Sequence, residues 1–132
     1  NRQFVEWVLR VKSNMDSGMF RPLQLAAVQA LSQPKEWYVQ MNKVYAARKA
    51  LAQAILEKVG AEVAPGQVGL FLWGKVAGKG VDVCDDVLYK AKVFITPGFI
   101  FGSNGENYIR ISLCANEETL AKALERIEKE IN

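Results

Sequence analysis

The chain has 132 residues, half of them hydrophobic, and a formal net charge of +3, which is the size and composition of one domain with a real core. It contains no histidine, which excludes Ser-His and Cys-His nucleophilic sites and any histidine-bound metal. Its two cysteines, Cys84 and Cys114, are too few for a disulfide framework, lack metal-ligand spacing and fit a reducing cytoplasm.

Lysine and arginine are too scattered to argue for nucleic acid. No apolar run is long enough to span a membrane, and Glu6 and Arg10 interrupt the apolar opening, so no secretory pattern is present. The chain starts without Met inside what reads as a helix, so a piece of a longer protein is expected.

Phe4, Trp7, Val8 and Val11 recur at helical spacing, and residues 3–12 read as an amphipathic helix without a clear cap. Across residues 12–20 Ser, Asn, Asp and Gly compete with helix and favour a turn, at face value a surface connection. Pro22 suits the first turn of a helix that runs to about Leu31. Ser32 or Gln33 then caps a long helix with Pro34 in its first turn and Gly60 at its end. Its stripe of Trp37, Met41, Val44, Leu51, Ile55 and Val59 reads as core rather than as a cofactor box.

Residues 61–64 read as a short edge strand. Residues 68–76, VGLFLWGKV, are apolar on both faces apart from Gly74 and Lys75 and predict a central, fully covered strand. Asp82 is placed to cap a helix with Val83, Cys84, Val87 and Leu88 inward. Asp85 and Asp86 near its start read as solvated carboxylates favoured by the helix dipole, not as a catalytic pair. Asn116 caps the last helix, with Leu120, Leu124, Ile127 and Ile131 as its buried stripe. Glu118–Lys122 and Glu125–Lys129 are i,i+4 pairs on its outer face.

The stretch that carries chemistry is residues 95–112, ITPGFIFGSNGENYIRIS. A strand end runs into Pro97-Gly98, an aromatic segment follows, and a glycine turn leads to a second strand. In that strand Ile109, Ile111 and Leu113 point one way and Tyr108, Arg110 and Ser112 the other. One guanidinium therefore stands on the non-core face beside a turn whose Gly102 and Gly105 leave room for close approach, a geometry suited to a carboxylate. Taken alone, Arg110 reads either as an exposed solubilising charge or as a recognition group on a rigid scaffold. Strands covered by helices on one side define an α+β layer with a small antiparallel sheet, preceded by long helices.

The motif PGFIFGSNGENYIRIS resembles the C-terminal segment of class I/II aminotransferases, the pyridoxal-phosphate enzymes of fold type I. The run KSNMDSGMFRPLQLAA, residues 12–27, resembles the family's stretch shortly downstream of its cofactor lysine, and GLFLW, residues 69–73, its first small-domain strand. The resemblance implies that residues 1–33 are the tail of the large cofactor-binding domain and residues 34–132 the small C-terminal domain with its connecting helix. It implies that Arg110 grips the α-carboxylate of an amino acid or 2-oxo acid substrate. It also implies a homodimer in which Asn14, Asp16, Ser17, Gly18, Met19 and Phe20 form a loop reaching the other subunit's active site. No lysine here stands in the family's Schiff-base context, so the resemblance leaves pyridoxal phosphate to the upstream domain, no catalytic residue to this chain, and the chain alone inactive. The rival reading is a non-enzymatic α+β module for small-ligand binding or dimerisation.

Overall fold

The computed structural model describes residues 1–131; Asn132, the last residue of the expected second domain, lies outside them. The chain divides into two compact units, residues 1–39 and residue 40 onward.

The first unit holds α1 (Arg2–Met15), α2 (Arg21–Leu31) and the start of α3 (Lys35–Lys58). The opening helix does have a cap: the Asn1 side-chain oxygen accepts from the Gln3 N–H at 3.0 Å. It also runs three residues further than the sequence suggested. Ser13 and Asn14 donate back to the Arg10 carbonyl, at 3.2 and 2.7 Å, and so stay helical rather than nucleating a turn. The chain breaks at Asp16, which has extended backbone and an ion pair with Lys12. Neither α1 nor α2 contributes a buried residue.

The second unit follows the expected order: the remainder of α3, β1 (Phe71–Lys75), α4 (Gly80–Ala91), β2 (Thr96–Pro97), β3 (Tyr108–Ser112) and α5 (Glu117–Glu130). The three strands are antiparallel in the order β1-β3-β2. The arginine-bearing strand is therefore central. The segment expected to be central is an edge strand, extended only by a bridge between Glu62 and Lys75. Among the described residues of this unit, its second apolar face is not covered by another layer of helices. Phe71 and Trp73 stand beside Arg110 instead, and Val68 lies outside the strand and is exposed.

One face of the sheet carries the core. Leu72, Ile109 and Ile111 pack against Ile55 and Leu56 of α3, Cys84 and Val87 of α4, and Leu120 and Ile127 of α5. Only the last part of α3 meets this core, so Trp37, Met41 and Val44 are exposed rather than buried as the stripe suggested. Burial, and then the charge of Asp85, pushes the Cys84 thiol up to about 11, so it packs as a small hydrophobe. Asn116 caps α5 by accepting from the Thr119 N–H at 2.9 Å, a contact of about 1 kcal/mol. Of the two expected ion pairs on α5, Glu118–Lys122 closes at 2.6 Å; Glu125–Lys129 is not formed among the described residues. No helix among them is long and apolar enough to cross a membrane.

The helix α4 starts two residues before Asp82, which lies in its first turn instead of capping it. The reason is non-local. Gly80 lies against β3, where a Cβ would overlap the Tyr108 carbonyl oxygen. At its other end α4 closes on Lys92, the one non-glycine among the described residues with positive φ, at 56°. A side chain in this left-handed conformation costs about 1 kcal/mol relative to glycine. Lys92→Gly is thus expected to raise the urea midpoint with an unchanged m-value, a gain of about 1 kcal/mol. An unchanged or lower midpoint would show that this helix end holds no such strain.

Candidate functional site

The site grows from the alternation of β3. Ile109 and Ile111 are buried in the core, which turns Tyr108, Arg110 and Ser112 to the opposite, open face. In the register Arg110 lies between Trp73 of β1 and Thr96 of β2, at the centre of that face. Phe71 shares the face with Trp73, two residues before it on β1. After β2 the chain tightens into a 3-10 turn, Gly98–Phe101, which carries Phe101 back over the sheet.

The result is a guanidinium held among rings. The Arg110 Cζ lies 4.1 Å from the Phe71 centroid, 4.1 Å from that of Phe101 and 6.0 Å from that of Trp73. Phe101 also meets Trp73 edge to face, with centroids 5.3 Å apart. Each cation–π contact contributes about 0.5–2 kcal/mol, more as water is excluded. Among the described residues no carboxylate pairs with Arg110. Its Nε is buried without a hydrogen-bond partner, the one side-chain nitrogen or oxygen of the described residues in that state. Leaving such a donor unpaired costs about 1–3 kcal/mol. A planar guanidinium fork in an apolar frame has the geometry to pair with a planar anion such as a carboxylate.

The glycine turn works differently from the expectation. Gly102 has φ of +125° and open space around it. Gly105 does not leave room for a ligand, because it lies directly on the backbone of Gly98, and a Cβ on either would overlap the other's carbonyl oxygen. This contact pins the two ends of the loop that carries Phe101. The expected cross-subunit residues, Asn14, Asp16, Ser17, Gly18, Met19 and Phe20, belong to the first unit, with Asn14 in the last turn of α1 and Met19 and Phe20 exposed. Sequence reasoning missed the roles of Phe71 and Phe101. Alternation alone puts Phe71 and Trp73 on one face, but only the strand register puts Arg110 on the same one.

The second unit is thus an open-faced α+β layer with an arginine at the centre of its sheet that pairs with no carboxylate among the described residues. The profile of the family "Aminotransferase class I and II" matches residues 1–127, and the chain belongs to that family. It is 36% identical over 130 residues to the LL-diaminopimelate aminotransferase of Aquifex aeolicus, covering 97% of this chain and 34% of that protein. It is 35% identical over 129 residues to the LL-diaminopimelate aminotransferase of Natranaerobius thermophilus, covering 96% and 33%. Among solved structures, a Methanococcus jannaschii protein described as similar in its active site to kynurenine aminotransferases superposes with a TM-score of 0.82 at 28% identity, covering 98% of this chain and 36% of that one. The chain spans about a third of the length of the curated relatives it matches.

The Gly98–Gly105 contact generates a prediction. Gly105→Ala is expected to lower stability by about 1–3 kcal/mol, as other overpacked sites do, measured by urea denaturation. An alanine variant of full stability would show that the two backbones separate freely.

Proposed function

We propose that this chain is the carboxylate-binding part of a pyridoxal-phosphate-dependent aminotransferase, which moves an amino group between an amino acid and a 2-oxo acid. The observation that carries this reading is Arg110, a charge with no counter-ion among the described residues, on the central strand of a domain of this family. Its fork pairs with the α-carboxylate of the amino donor and of the oxo-acid acceptor alike. Its strand, fixed by Ile109 and Ile111 in the core, holds the bound carboxylate in one place.

Pyridoxal phosphate, when bound, supplies the electron sink of such chemistry. The residues of this chain do not fit the task of anchoring it. No charged or polar residue of the described chain is buried. Every lysine is exposed except Lys49, which is half-buried and donates to the Gln67 carbonyl. A lysine tuned for imine chemistry is instead desolvated or set beside another cation. We therefore assign cofactor attachment to the part of the longer relatives that this chain does not match, and expect the 132 residues alone to be inactive.

Residues 1–33 then belong to the tail of the large domain and residues 34–132 to the small domain. The intact protein is a cytoplasmic homodimer in which Asn14, Asp16, Ser17, Gly18, Met19 and Phe20 reach toward the other subunit's site. The exposed Met19 and Phe20 support this reading, since apolar patches of this kind mark association surfaces.

The test is Arg110→Lys in the intact, cofactor-loaded protein. The lysine keeps the charge and loses the bidentate fork. The expected cost is about 2–5 kcal/mol, or roughly two to three powers of ten in kcat/KM of a single-turnover half-reaction. The absorbance of bound cofactor is expected to persist. Transamination at the original rate would refute the carboxylate role, and loss of bound cofactor would show that Arg110 serves the cofactor site. An intact protein that takes up no pyridoxal phosphate at all would point instead to a non-enzymatic ligand-binding or dimerisation module.

A further inference from the structure

We infer that Phe71 and Phe101 set the shape of the anion that Arg110 accepts, making the site selective for flat carboxylates over tetrahedral sulfonates or phosphonates. The inference rests on the reading of Arg110 as the carboxylate receptor. Neither ring is a core group: Phe71 is 40% and Phe101 49% exposed. They come from opposite sides of β3, Phe71 from β1 and Phe101 from the turn after β2. Yet both meet Arg110 Cζ at the same 4.1 Å.

On this inference the two rings, each with its centroid 4.1 Å from Cζ, flank opposite faces of the guanidinium, which leaves a slot about one guanidinium thick. The Nε edge of the guanidinium is buried and closed to solvent. The terminal nitrogens are what remains for a ligand, and a ligand reaches them along the guanidinium plane. A carboxylate lies in that plane with both oxygens bonded. A sulfonate or phosphonate carries a third oxygen out of the plane, toward a ring face. That oxygen is either left without a partner beside an apolar surface or forces the rings apart, and both outcomes weaken binding. The rings act through Arg110, as positioning residues that also discriminate.

The experiment measures dissociation constants by calorimetry for the intact, cofactor-loaded protein with 3-phenylpropanoate and 2-phenylethanesulfonate, which differ only in the anion. The wild-type protein is expected to favour the carboxylate by about tenfold or more, the usual worth of one misfit in a tight pocket. Phe71→Leu and Phe101→Leu are each expected to bring that ratio several-fold closer to one. Phe71→Tyr and Phe101→Tyr, which keep the ring face, are expected to hold it. Where a Leu variant does not fold, Met at the same position replaces it.

A wild-type ratio near one, or a ratio that survives in the Leu variants, overturns the inference. So does a ratio lost equally in the Tyr and Leu variants, because that pattern reports packing and not a ring face. Arg110→Lys separates the two levels. If it binds both anions as the wild type does, the carboxylate-receptor reading fails. If it loses the carboxylate while the Phe variants keep the wild-type ratio, only the slot fails.

Discussion

The second unit is arranged around a guanidinium, Arg110, that the sheet presents with no carboxylate partner among the described residues. What holds it in place is apolar: two phenyl rings with centroids 4.1 Å from its Cζ on one side of the sheet and a core of helices on the other. The two sides of the sheet are coupled by the pleat. Ile109 is fully buried, so a one-residue slip of β3 would drive Arg110 into the core and an isoleucine into the site. Core packing thus fixes the position of the charge at no separate cost.

A second arginine shows what the opposite arrangement looks like. Arg48 donates to the Glu117 carboxylate at 3.2 Å and to the Leu113 carbonyl at 3.3 Å, and lies over the Tyr45 ring. The Glu117 carboxyl is held below the usual range by a hydrogen bond from its own backbone N–H, and then by Arg48. Arg48 ties α3 to the start of α5 and is satisfied by doing so. Arg110 forms no such bridge among the described residues. The contrast, within one chain, separates an arginine used to fasten the fold from one that fastens nothing among the described residues.

The order of elements, the faces of β3 and the Asn116 cap were legible in the sequence because each depends on neighbours a few residues away. The errors fall where a distant segment decides. The VGLFLWGKV run looked central because both of its faces are apolar, and nothing local says that Phe71 and Trp73 serve an arginine on another strand. Asp82 looked like a cap, but α4 begins earlier, where Gly80 fits against the Tyr108 backbone. Trp37 and Met41 lie on a regular stripe of α3, and periodicity shows which side of a helix is apolar without showing what covers it. The placement of Arg110 on the open face was legible from alternation; its aromatic frame needed the register.

The contact between Gly98 and Gly105 has an evolutionary consequence. Most tight packing can drift, because a larger side chain on one side is offset by a smaller one opposite. Here the atoms in the way belong to the main chain on both sides, so no change of side chain at the partner position can make room. The two positions cannot trade volume, and neither can be reached by a compensated pair of substitutions. The loop between them is free to vary in sequence at its tip while its two ends are locked, which lets a lineage retune the surroundings of Arg110 without losing the geometry of the loop that frames it.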